Sequence, residues 1–82
     1  MDKWNYALIL MANEDGQNGT VGGVEPNVGG DKIVKGSRMR IIVMLETMGA
    51  QGWELSGLQE VGNARRYVFK RPVTGTSPFT DL

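Results

Sequence analysis

Four bases and no acid fall within seven residues at Arg65, Arg66, Lys70 and Arg71. Guanidinium and ammonium groups packed this densely supply charge-assisted donors for phosphate or carboxylate oxygens. Arg38 and Arg40 add two more cations just ahead of an apolar run. The chemistry these six residues offer is recognition of an anion, and they form the candidate ligand-binding set. The competing reading is a solvated edge strand whose charges discourage pairing with other sheets. Nucleic acid is the less favoured partner, because nine bases are balanced by nine acids and every aromatic except Phe79 falls in a segment that reads as core.

Catalytic chemistry has little to draw on. The 82 residues contain neither His nor Cys, which removes Ser-His and Cys-His nucleophile systems, imidazole and thiolate metal sites, and any disulfide framework. Glu54, Glu60, Asp31 and Tyr67 are left for acid–base work, and no pair of them has a spacing that demands it. The acids Glu14, Asp15, Glu25 and Asp31 lack the spacing of a calcium loop and read as scattered, solvated carboxylates. Gly29-Gly30-Asp31-Lys32 signals a turn, and no phosphate-loop or dinucleotide-binding pattern accompanies the glycines. The expectation is a non-enzymatic protein without metal or cofactor.

The elements that must position the cations are short. Trp4 to Ala12 reads as a strand, with Trp4, Tyr6, Leu8 and Leu10 alternating toward the core and Asn5, Ala7, Ile9 and Met11 on the other side. Residues 13–31 hold six of the 12 glycines and only three aliphatics, all Val. So few buriable side chains predict a flexible loop, or an arm closing over a subunit junction, with room for a short hairpin around Thr20 to Val28. The spacing of Ile41, Met44, Leu45 and Met48 predicts a helix over Ser37 to Met48, capped by Ser37 and ended by Gly49. Arg38 and Arg40 then sit in its first turn, where cations oppose the helix dipole. Met39, Ile42 and Val43 are placed on its far side. The β-branched Ile41-Ile42-Val43 leaves a strand over Arg40 to Leu45 as the competing reading.

A closing hairpin runs from Trp53 to Val61 and from Arg65 to Arg71. A two-residue Gly62-Asn63 turn would place Tyr67 and Phe69 on the face opposite Trp53 and Leu55. A three-residue loop, Gly62 to Ala64, brings all four onto one face, with Gln59 opposite Tyr67, Gly57 opposite Phe69 and Glu60 opposite Arg66. Pro72 ends the strand, and residues 73–82 read as a mobile tail. The sum is a single α+β domain over residues 1–72, ordered β-α-β-β with a long Gly-rich insertion after the first strand.

Three pieces together, Trp4-Asn5-Tyr6, Gly52-Trp53-Glu54-Leu55 and Phe69-Lys70-Arg71-Pro72, resemble a small bacterial and phage family classed as domain of unknown function 4177. The resemblance covers about half the chain and implies a helix packed on an antiparallel sheet. Asn5, where that family usually has an acid, and the Gly-rich segment depart from it. The family brings no established activity.

Charge is uneven: residues 1–31 carry a net −4 and residues 32–82 a net +4. With a small core and no cross-link, the chain is expected to lean on partner copies for stability. The apolar residues Met39, Ile42, Val43, Ile9 and Met11 are the candidate oligomer interface. The expected function is a homo-oligomeric binding protein that holds or sequesters a phosphate-bearing, nucleotide-like small molecule at a subunit junction. By analogy with phage proteins that capture nucleotide signals, it would act in the host cytoplasm. The alternative is a structural or protein-interaction module without a small-molecule ligand. The longest apolar run, Ala7 to Ala12, is too short to span a membrane.

Overall fold

The computed structural model describes residues 3–73, so the expected tail from residue 74 onward, Phe79 included, lies outside the described residues. The chain forms a five-stranded antiparallel sheet with one helix. In chain order the elements are β1 (Trp4–Ala12), β2 (Asn18–Glu25), β3 (Arg38–Arg40), α1 (Ile41–Ala50), β4 (Glu54–Val61) and β5 (Ala64–Pro72). The sheet order is β3-β2-β1-β5-β4. The Gly-rich segment is therefore not a bare loop. It supplies β2, which pairs with β1 from Leu8↔Glu25 to Ala12↔Thr20, interrupted by a bulge beside Leu10. The expected β-α-β-β order gains two strands between β1 and the helix.

The first strand buries the side opposite to the one expected. Ala7, Ile9 and Met11 are fully buried beneath the helix, whereas Tyr6 is 58% exposed and Trp4, Leu8 and Leu10 are half-buried. Both faces of β1 are largely apolar, so alternation alone could not choose between them. Helix contact made the choice: Met44 and Met48 pack on the Ile9–Met11 side, together with Val21, Ile33, Trp53, Tyr67 and Phe69. Ile9 and Met11 are thus core, and their expected place in an oligomer interface is withdrawn.

The helix begins at Ile41 rather than Ser37. Upstream, the Gly36 N–H donates to the Val21 carbonyl at 2.6 Å and the Val21 N–H to the Ser37 carbonyl at 2.8 Å. That pairing continues as Gly19↔Met39 and Thr20↔Arg38. Arg38 and Arg40 therefore belong to an edge strand and not to the first helical turn. Met39 points with Gly19 toward the core and packs against it, so it is not an outer-face residue. Ile42 and Val43 do stay outside, at 50% and 41% exposed. At the other end Gly49 lies within the helix, and Gly52 takes the left-handed position at φ 87°. The Gly52 N–H donates to the Gly49 carbonyl at 2.9 Å and the Trp53 N–H to the Met48 carbonyl at 3.1 Å. These are the two bonds of a Schellman ending, and its usual apolar contact is met by Trp53 and Met48, both buried.

The β4–β5 turn is the two-residue Gly62-Asn63, with Val61 opposite Ala64 and Gly62 at φ 62°, as a primed hairpin turn requires at its first central residue. The parity conflict is resolved elsewhere, by a bulge between Leu55 and Gly57. One extra residue there returns Leu55 to Phe69 while Leu58 faces Tyr67. Trp53 keeps the predicted face, but Gln59 faces Arg66, Gly57 faces Val68, and Glu60 faces Arg65. The strand carrying the basic run is interior, flanked by β1 and β4. The edge on this side is β4, exposed along nearly its whole length.

Candidate functional site

Register sorts the six candidate cations by face. Directly opposed residues in an antiparallel pair point the same way. Tyr6 faces Lys70, Leu8 faces Val68, Leu10 faces Arg66 and Ala12 faces both Ala64 and Thr20. Thr20 in turn faces Arg38, and Asn18 faces Arg40. Arg38, Arg40, Arg66 and Lys70 therefore share the sheet face away from the helix. Arg65 and Arg71 share the helix side, opposite Met11 and Asn5. The seven-residue run is not one cluster; four of the six cations share one face without converging, Lys70 in the row of Tyr6 and Arg38 in the row of Ala12, and two lie behind it.

That uncovered face is apolar at its centre. Trp4, Tyr6, Leu8 and Leu10 run along β1, with Val68 beside Leu8 on β5. Described residues span 39 × 24 × 18 Å, and the short dimension is the depth of one sheet and one helix layer. The Lys70 ammonium lies 4.2 Å from the centre of the Trp4 ring and 3.7 Å from the Glu54 carboxylate. Arg66 donates to Gln59 Oε1 at 3.2 Å. These contacts lay Lys70 over the Trp4 ring, where a cation is attracted by the aromatic face, and tie Arg66 to β4.

Arg38 is held by a built turn. The Asp15 carboxylate accepts the Gln17 and Asn18 N–H groups at 3.0 and 2.8 Å and the Arg38 guanidinium at 2.6 Å. The two backbone donors first, and Arg38 after them, hold the Asp15 carboxyl at a pKa of about 2 instead of 3.8. Because the folded value lies below the unfolded one, the stabilisation is full above pH 4 and disappears as pH falls through about 2. Asp15→Asn is expected to flatten the acid limb of the stability curve between those values. Urea midpoints at pH 5, 3 and 2 measure it, and an unchanged slope would remove Asp15 from that role.

The helix side holds a different group of residues. Glu14, expected to be solvated, has a side chain only 10% exposed. It accepts the Tyr67 hydroxyl at 3.1 and 3.2 Å, with Arg65 at 3.6 Å. Burial first, and the Glu14 carboxylate next, raise the Tyr67 phenol above its ordinary value. These residues line a cleft of about 430 Å³ between the β1–β2 loop, the β4–β5 turn and Ile41 at the start of the helix. Arg71, in contrast, stacks 4.3 Å from the Trp53 ring centre and donates to the Gln51 carbonyl at 2.8 Å, which locks the helix ending to β5. Arg65 and Arg71 are thus engaged in the architecture. Asn13, left-handed at φ 53°, turns the chain so that Glu14 points inward, and no local pattern in the sequence announces this.

No family model, curated protein or solved structure matches this chain.

Among the described residues, no group of three or more acidic side chains could hold a metal ion, and no helix is long and apolar enough to cross a membrane. Of the acid–base candidates, Asp31 and Glu54 lie apart, exposed on the 26–37 loop and on β4. Glu60 and Tyr67 both line the cleft beside Glu14, where the Tyr67 hydroxyl is engaged by Glu14.

Proposed function

We propose that the protein is a non-enzymatic binding protein that works as a homo-oligomer and holds a small phosphate-bearing anion beside a subunit contact. One observation carries this reading: Arg38, Arg40, Arg66 and Lys70 share the uncovered sheet face with the apolar strip of β1. An apolar surface bordered by cations suits a ligand with a flat, weakly polar body and an anionic group, which describes a nucleotide. Self-association would enclose that surface and supply the second wall that one open sheet lacks. Sequestration of a nucleotide signal in the host cytoplasm is the biological form of this reading.

Light scattering at micromolar concentration, followed by thermal unfolding against a panel of nucleotides, tests it. A ligand at a hundred times its dissociation constant adds about 2.7 kcal/mol, which raises Tm by more than about 10 °C in a domain this small. The shift should vanish in Arg66→Ala and Lys70→Ala while circular dichroism shows the fold retained. A folded oligomer that responds to no nucleotide favours the second reading, a structural or protein-interaction module. That reading draws on the contacts already made by Arg38 with Asp15 and by Lys70 with Glu54, which reduce what they can offer a ligand.

A further inference from the structure

We infer that the sheet face away from the helix is the self-contact of this protein, covered by the same face of a second copy with each β1 lying over the partner's β5. This rests on the oligomeric reading above and assigns it a surface, different from the helix face that the sequence suggests.

Size supports the assignment. β1 has nine residues, about 30 Å at ~3.3 Å per residue, and four long strands at ~4.8 Å spacing add about 19 Å. The flat footprint is therefore roughly 600 Å², which side-chain relief enlarges toward the ~800 Å² per partner of a stable interface. The helix side offers Ile42 and Val43 on a segment of ten residues, with Leu55 and Leu58 on the β4 edge, so its exposed apolar residues are split between two elements and not laid on one flat sheet. The anatomy also fits, with apolar residues at the centre and Glu25, Glu54, Arg66 and Lys70 around them, as in a contact with a dry core and a polar rim.

Charge then selects the orientation. Stacked sheets keep their strands within about 30° of alignment, and a two-fold axis lying between them can run across the strands or along them. An axis across the strands, passing beside Leu8, lays β1 on the partner's β1. It also sets Arg66 against the partner's Lys70, like charge on like. An axis along the strands, between β1 and β5, lays Leu8 on the partner's Val68, Tyr6 on the partner's Lys70 and Leu10 on the partner's Arg66. Apolar meets apolar in the middle row, and each cation meets an aromatic ring or an aliphatic side chain. The second arrangement avoids the repulsion and is the one assigned.

The absence of cysteine from the sequence makes the test direct. Leu8→Cys and Val68→Cys are placed on separate chains with distinguishable tags, because the two positions are neighbours within one chain. The pair is co-expressed and treated with a short dithiol-reactive linker. The expected result is mixed Leu8–Val68 product in several-fold excess over Leu8–Leu8 product. Excess Leu8–Leu8 product overturns the orientation. Leu8→Arg, and independently Tyr6→Arg at an exposed position, should convert the oligomer to a folded monomer by light scattering and circular dichroism. If both leave the mass unchanged while Ile42→Glu with Val43→Glu lowers it, the contact lies on the helix and this inference fails, although the oligomeric reading stands. A wild-type monomer at 100 µM overturns both. A monomer that dimerises only once residues 74–82 are removed assigns the face to that segment instead.

Discussion

Ile9→Ala is expected to lower the unfolding free energy by about 2–5 kcal/mol, while Leu10→Ala, one residue on, costs roughly 1 kcal/mol. Ile9 is fully buried in the row that meets Val24 on β2 and Tyr67 on β5. Truncation there removes three carbons and leaves a void bounded by strands that cannot close in. Leu10 is half-buried on the face without a helix, so solvent or neighbouring side chains fill the space it leaves. Domains this small have about 5 kcal/mol in hand, so the first variant approaches the unfolding threshold at 25 °C. Urea melts of the two proteins, held dilute enough to be monomeric, give the comparison. Equal losses, or a larger loss at Leu10, would mean that the core lies on the other side of β1.

The second large effect lies in the segment between β2 and β3. Ile33 is 2% exposed and belongs to the core, which makes residues 26–37 a plug and not a loose connection. Ile33→Ala should cost about 2–5 kcal/mol. Gly29 lies against it: a Cβ added there would come within 2.6 Å of the Ile33 Cβ, an atom fixed to the backbone that cannot swing away. Gly29→Ala is therefore expected to destabilise by about 1–3 kcal/mol through overpacking. The double variant should lose less than the two losses combined, because two of the three crowding atoms, Ile33 Cγ1 and Cδ1, have gone. Additive losses in thermal melts would show that Gly29 and Ile33 do not share the space assigned to them.

The α+β class with one helix on an antiparallel sheet was legible, as was the helix face made by Ile41, Met44, Leu45 and Met48. Periodicity reported these because Ile41, Met44, Leu45 and Met48 recur at helical spacing, although Ile42 and Val43 leave the outer side apolar too. β1 was legible as a strand but not as a face, since Trp4-Tyr6-Leu8-Leu10 and Ala7-Ile9-Met11 are both apolar. β2 was hidden because its glycines carry no pattern, although Gly19, Val21 and Val24 meet Met39, Met11 and Ile9 across the sheet. The bulge after Leu55 defeated a parity argument that was sound for regular strands. Of the candidate site, the cations were legible by type, but their partition between faces follows from register. Glu14 looked like one more surface acid because its burial depends on Asn13, Tyr67 and Arg65, which are distant or conformational facts.

The placement of β5 has a consequence for how the chain acquires its structure. The last of the described strands lies in the interior of the sheet, between β1 and β4, and it pairs along its full length with the first, from Trp4↔Pro72 to Ala12↔Ala64. A growing chain that has reached Val61 holds a β1–β2 hairpin and a helix but lacks the strand that supplies Tyr67 and Phe69 to the core. Closing a loop of that length carries an entropic barrier before any contact compensates it, so folding should be slow for the size and gated by the arrival of β5. The same adjacency places Val73 in hydrogen-bond contact with Lys3 at 3.0 Å. A short linker could join those two positions, and new ends opened at the Gly62-Asn63 turn would make β5 the first strand synthesised.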